Sequence, residues 1–226
     1  MSNWINSNGS SARVAVVAAE SISSTIDLLA VADWRRRVSE LYAEVRASSD
    51  PARAWERWRG GREELFLTHP QSPLQPADRN GEHAPQYFAY APALRVLAQV
   101  EDAPAAASPL PVSAPGEINA AKIGLAHFVL EGQQHALSVH WLQEYSGGLF
   151  VSLRDATSGK ETYGAGRYVL DTAKGADLGM SGDKLILDFN FAYNPSCSYD
   201  PKWSCPLPPR ENWLMDLAVR AGERSD

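Results

Sequence analysis

The sequence predicts an α+β protein, with two N-terminal helices followed by a mainly antiparallel β-meander closed as a barrel or sandwich. Three observations carry that expectation. Between Leu28 and Phe66 apolar residues recur at spacings of three and four, the period of amphipathic helices. From Gln86 onward the chain breaks into short β-like runs separated by turn formers. Links as tight as Gly132-Gln133 make consecutive strands antiparallel neighbours.

Residues 1–20 show no convincing period and read as a flexible leader, with 12–20 able to form a strand or one helical turn; residues 21–226 read as a single domain, helical over about 28–68 and β over about 86–226. In the first helix Ala30, Trp34, Val38, Leu41, Tyr42 and Val45 form the apolar stripe, and Asp33, Arg36, Arg37, Glu40 and Glu44 the opposite face, up to Ser48. Asp50 then caps a second helix that opens on Pro51, where a missing amide donor costs nothing. Its stripe is Trp55, Trp58, Arg62, Leu65 and Phe66. Gly60 and Gly61 each weaken it by on the order of 1 kcal/mol relative to alanine, so the sequence is compatible with a kink there.

After a loop over 68–85, the strand candidates are 87–90, 94–101, 122–131, 134–143, 149–154, 167–171, 184–190 and 213–221. The proline- and alanine-rich stretch 103–117 is either a mobile loop or an extended edge. Residues 146–148 and 181–183 are further hairpin-like links, and the helices are expected outside the barrel or plugging one end. Alternation places His127 in a row with Ile123, Leu125 and Val129, and His140 in a row with Ala136, Ser138 and Leu142. Each is expected as a hydrogen-bonded core or rim histidine rather than a ligand.

The densest stretch is Asp188 to Asn212, DFNFAYNPSCSYDPKWSCPLPPREN. Pro195, Pro201, Pro206, Pro208 and Pro209 forbid a regular element, while Phe189, Phe191, Tyr193, Tyr199, Trp203 and Leu207 supply enough apolar surface to pack the loop down. Loops of that kind line a site or close the end of a barrel.

Composition excludes several classes. A net charge of −6 and a pI of about 5.4 leave no basic field to gather phosphates, so no nucleic-acid partner is expected. The apolar run Val14 to Ala19 is too short to span a membrane and poorly arranged for a signal peptide, which makes the chain cytoplasmic and without a membrane partner. Cys197 and Cys205, eight positions apart, are then expected as reduced thiols, although the spacing permits a bridge.

The pattern DFNxAYNPxCxY followed by CPLPPxxN, with RDATSGKETYGAGRY at Arg154 to Tyr168 and AGE at Ala221 to Glu223, resembles an uncharacterised bacterial family catalogued as a domain of unknown function. The resemblance runs from Trp55 to Glu223, is weaker before Ile123, includes HPQSPL in the long loop, and is interrupted by NGEHAP. It implies a short form without the additional N-terminal module of many members. It implies no activity.

Three constellations are candidates for chemistry. Cys197 and Cys205 lack the paired short spacings of a zinc site, so no metal is expected; packed thiols or a redox pair remain. Glu161 to Tyr168 carries Gly164 and Gly166 around Ala165, beside Arg167; this is either an anion nest with Arg167 as carboxylate or phosphate holder, or a kinked hairpin with Arg167 paired to Asp155 or Asp171. Asp188, Asn190, Tyr193 and Asn194 cluster with Asn212, as a base and orienting groups or as side chains bonding the loop's backbone. The sequence has no nucleophile elbow and no HExxH.

The resulting expectation is a binding pocket for a small anionic or polar ligand, needing no cofactor. Tyr163, Arg167, Tyr168, Asn194, Trp203 and Asn212 would hold the ligand, with Arg167 as charged anchor and Tyr193 and Trp203 as walls. Asp188, Asn190 and Tyr193 would carry any catalysis. The alternatives are a structural or protein-interaction domain and a metal- or thiol-dependent enzyme. Oligomeric state is left open.

Overall fold

The computed structural model describes residues 24–143 and 147–225. The leader expected over 1–20 and Ser146 of the second hairpin link lie outside them. Helix α1 spans Thr25–Ala47 and α2 spans Pro51–Thr68. The Ser24 side chain accepts from the Asp27 amide at 3.2 Å, and Asp50 accepts from the Arg53 amide at 3.1 Å, so each first turn has a capped donor. The two glycines do not break α2. At Gly61 a Cβ would run into the Leu41 side chain, so the missing side chain is what lets the helices approach.

The strands are β1 (Arg95–Ala107), β2 (Leu110–Pro111), β3 (Glu117–Ile118), β4 (Ala120–Leu130), β5 (Gln133–Leu142), β6 (Gly148–Asp155), β7 (Arg167–Asp171), β8 (Met180–Ser181), β9 (Lys184–Asp188) and β10 (Trp213–Leu214). The main sheet runs β10-β6-β5-β4-β1-β9-β8, with β7 on the other edge of β6 and β2 pairing β3 separately. Together the two leading helices and this antiparallel sheet, curled into a half-barrel, make an α+β fold. The curl is drawn together by an isolated bridge in which Tyr168 on β7 and Tyr193, just past β9, exchange backbone bonds of 2.9 and 3.0 Å.

The stretch 103–117 is the extended edge: β1 continues to Ala107, and its register slips between Asp102 and Ala106 around Pro104, which has no amide to give a ladder. Two expected strands are not formed as such. Residues 87–90 make a single bridge, Tyr87 with Glu223, and of 213–221 only β10 is extended, pairing parallel to β6. Beyond Leu214 the tail is irregular: the Arg167 and Asp155 side chains bond Val219 and Ala221, and scattered backbone bonds to Ala156, Phe88, Ala192 and Gln86 hold Leu217, Gly222, Glu223 and Arg224.

Core residues come from both layers. Tyr42 of α1 and Trp55 and Trp58 of α2 meet Phe191, Val96, Leu153 and Val169 of the roll. The indole of Trp55 donates to the Asn190 carbonyl at 2.9 Å, joining α2 to the segment after β9. The histidines do not meet: the register sets His127 opposite Ala136 and His140 opposite Lys122. His127 is exposed and bonded to Glu101 at 3.0 Å, because β4 buries Gly124, Ala126, Phe128 and Leu130 instead. His140 is buried, and burial lowers its pKa. No helix among the described residues is long and apolar enough to cross a membrane.

Candidate functional site

The sequence predicts a pocket framed by Asp188 to Asn194 and by the Tyr163 to Tyr168 turn, with Arg167 as charged anchor and Tyr193 and Trp203 as walls. The geometry divides these residues. Tyr168, Tyr193 and Asn194 line a cleft of about 50 Å³ between the helical pair and the roll, whereas Asp188 lines a separate cleft of about 270 Å³ with Arg46, Ser48 and Arg95. Phe191 lies on the second, its ring meeting Tyr42 and Trp58 of the helices. Arg167, Asn190, Tyr163, Trp203, Asn212 and both thiols line neither of these clefts.

Arg167 is corrected most plainly. It is 1% exposed, and its guanidinium donates to the carbonyls of Val219 at 2.8 Å, Glu223 at 3.3 Å and Ala221, and to Asp155 Oδ2 at 3.4 Å. The same Asp155 oxygen accepts from the Val219 amide at 2.7 Å, so this pair fastens the tail to β6 and β7 and commits both terminal nitrogens of the guanidinium. Nor is the glycine turn before it an open nest. At Gly166, φ is +102°, and a Cβ would meet the Leu153 carbonyl oxygen at 2.5 Å and Pro208 at 2.6 Å. Glycine is there for close packing.

The asparagines act on the backbone too. Asn190 Oδ1 accepts from the Ala91 amide at 2.8 Å, and its Nδ2 donates to the Ala91 carbonyl at 2.9 Å and to Asp188 Oδ1 at 2.8 Å. Asn212 replaces a missing piece of ladder between β5 and β6. Its Oδ1 accepts from the Ser138 amide at 2.7 Å, and its Nδ2 donates to the carbonyls of Ser138 at 3.1 Å and Ser152 at 2.8 Å. Trp203 packs under the Lys202 ammonium, 5.4 Å from the ring, and its carbonyl accepts from the Ser113 hydroxyl at 3.1 Å. Tyr163 faces the thiols, its hydroxyl 3.9 Å from Cys197 Sγ. Tyr168 donates to the Pro206 carbonyl at 2.6 Å.

Asp188 is nearly inaccessible, and burial pushes its pKa up to about 6 despite two hydrogen bonds from Asn190 and Arg95 at 3.7 Å. In its cleft this carboxyl can exchange a proton near pH 6, but one of its oxygens is already committed to Asn190.

The cleft beneath the helices holds a polar group that reading along the chain does not gather. Arg62 of α2 lies between the rings of Phe66 and Tyr193, 4.6 and 4.8 Å from their centroids, and donates to Glu223 Oε2 at 2.8 Å. That carboxylate is fully buried; it also accepts from the Asn194 amide at 3.1 Å, and burial raises its pKa. Three buried atoms on residues lining the cleft have no hydrogen-bond partner, Tyr42 Oη, Arg62 Nε and Asn194 Oδ1; Glu223 Oε1 has none either, although Glu223 does not itself line the cleft. Lys174 sits at the rim, half exposed, 3.6 Å from Asp171 Oδ2 and 5.9 Å from the centroid of the Tyr168 ring. Trp34, Trp58, Phe66 and Pro73 supply apolar walls. Gly222 makes the tail's entry possible: its φ is +73°, and a Cβ would strike the carbonyls of Ala192 and Phe189. The available signal was a charged residue within an apolar helical stripe, which is what Arg62 is.

Among the described residues no group of three or more His, Cys, Asp or Glu could hold a metal ion. Both cysteines are free. An uncharacterised protein of Haloarcula marismortui, solved by solution NMR, is similar at 36% identity and a TM-score of 0.55, over 74% of this chain and 90% of that one. No curated protein matches the chain. Residues 83–224 match the family described as protein of unknown function (DUF1684), and the chain belongs to that family.

Proposed function

We propose that the chain binds a small polar ligand, with a head that both accepts and donates hydrogen bonds, in the cleft between the helical pair and the half-barrel. A short carboxylic acid or its amide fits that description. The observation that carries the reading is the set of unpartnered buried atoms on the cleft's own lining, a donor on Arg62, an acceptor on Asn194 and the Tyr42 hydroxyl. Buried polar atoms are rarely left unbonded, because each costs about 1–3 kcal/mol. A cavity of about 50 Å³ admits only a few heavy atoms, so the head enters while an apolar remainder rests on Trp34 and Phe66. The ligand is a small molecule rather than nucleic acid or membrane, and no cofactor is invoked. A cytoplasmic location, where thiols are kept reduced, belongs to the same reading.

The test is thermal shift of wild type and Arg62→Lys against short carboxylic acids and amides. A ligand at about a hundred times its Kd stabilises by about 2.7 kcal/mol. The expected result is a concentration-dependent rise for wild type that Arg62→Lys loses. An equal response in both proteins, or none across the panel, rejects the cleft as the site. A second reading, a protein-interaction module, draws on Ile26, Leu28 and Leu29, which stand exposed at the start of α1. It expects no ligand response at all.

A further inference from the structure

The tail loop brings two thiols together outside the lining of the cleft. The Cys197 amide donates to Cys205 Sγ at 3.4 Å. The loop is already folded back to this point. Ser196–Ser198 form a single 3-10 turn, Asp200 accepts from the amides of Lys202 and Trp203, and Pro206 bridges to Val112. The two sulfurs are unequal. Cys197 is half-buried and reachable, with the Tyr163 hydroxyl 3.9 Å from its sulfur, whereas Cys205 is 3% exposed.

We propose that Cys197 and Cys205 form a peroxide-responsive dithiol, in which Cys197 is the attacking sulfur and Cys205 resolves the product into a disulfide. The Cys197 thiolate attacks one oxygen of hydrogen peroxide, the O–O bond breaks, and the leaving hydroxide takes up a proton to become water. Cys197 is then a sulfenic acid. The sulfur of Cys205 attacks it, the S–O bond breaks, and the Cys205 proton leaves with that oxygen as a second water. Two thiols and one peroxide thus give one disulfide and two waters, and an external dithiol reverses the change.

The inequality of the sulfurs assigns the roles. Hydrogen bonding from Cys205 holds the Cys197 thiol down to about 6, while Cys205 is pushed up. Against an ordinary thiol near 8.5, the thiolate fraction at pH 7 rises roughly thirtyfold. The lower basicity of such a sulfur cancels most of that gain, since nucleophilicity falls with a slope of about 0.4–0.5 per pKa unit. The decisive feature is therefore the resolving thiol, its sulfur held on the Cys197 amide, which captures the sulfenic acid before it is oxidised further.

The experiment treats the full chain with equimolar and excess hydrogen peroxide, then counts thiols and measures intact mass. Wild type is expected to lose both thiols and two hydrogens, and to recover both on addition of dithiothreitol. Cys205→Ser is expected to gain one oxygen, captured by dimedone, and Cys197→Ser to react roughly tenfold or more slowly. Two thiols that survive excess peroxide in wild type overturn the proposal, whatever the variants do. So does a Cys197→Ser protein that reacts at the wild-type rate, or a wild type that accumulates sulfinic acid without disulfide.

Discussion

Replacing Arg62 by Met keeps the aliphatic stem but removes the guanidinium that lies between Phe66 and Tyr193 and faces Glu223. The Glu223 carboxylate, fully buried and 2.8 Å from Arg62, is then left with the Asn194 amide alone. Breaking a buried pair on one side costs about 3–5 kcal/mol, because the remaining charge is uncompensated. For a chain of this size each kcal/mol lowers Tm by about 2–4 °C, so a fall of roughly 6–20 °C is expected. Glu223→Gln strands the guanidinium and destabilises as well. The double variant Arg62→Met/Glu223→Gln removes both charges, and is expected to recover much of the loss, with a coupling energy of about 2 kcal/mol or more. Urea unfolding of the four proteins at pH 7.5 measures this directly. Should Arg62→Met cost less than about 1 kcal/mol, as an exposed pair would, or should the two losses simply add, the buried-pair reasoning fails.

Other outcomes follow from single residues. Asn212→Ala strands the Ser138 amide and the carbonyls of Ser138 and Ser152, and is expected to destabilise by about 2–4 kcal/mol in urea; a loss below 0.5 kcal/mol contradicts its role between β5 and β6. Asp188 holds its proton more tightly folded, near 6, than unfolded, near 3.9. Its contribution is therefore fully present below about pH 4 and is lost as pH rises through 6. The stability of Asp188→Asn relative to wild type should accordingly improve by up to about 3 kcal/mol between pH 4 and 8, and a flat difference refutes the raised pKa. Arg167→Lys keeps the charge but cannot reach three carbonyls and Asp155 together; several kcal/mol of stability and the hydrogen-exchange protection of the Val219 amide should go, and unchanged protection contradicts the fastening of the tail.

How much of this was legible follows from the range of the interactions. The helices were, because caps and the three-four spacing are local, and β7 was, because turn formers flank Arg167–Asp171. Strand 213–221 was not, since Leu217, Val219 and Ala221 look like a β run, yet Val219 and Ala221 are held by the side chains of Arg167 and Asp155 rather than by a ladder. Asp188, Asn190 and Asn212 were recognised as unusual, but whether such side chains face a cavity or bond the backbone depends on partners about 60–99 positions away. Arg62 and Glu223 are separated by 161 positions, and neither the helical stripe nor the AGE pattern pairs them. Only the folded tail brings them together.

The most direct test of the binding claim observes the Arg62 guanidinium itself. In ¹⁵N-labelled protein, the Arg62 Nε–H and Asn194 side-chain amide resonances, assigned through Arg62→Lys and Asn194→Ala, can be followed while a short carboxylic acid or its amide is titrated in. Saturable movement of both signals with one Kd, absent in Arg62→Lys, is the expected result. Movement confined to Arg46 and Arg95 around Asp188, or no movement at all, contradicts it.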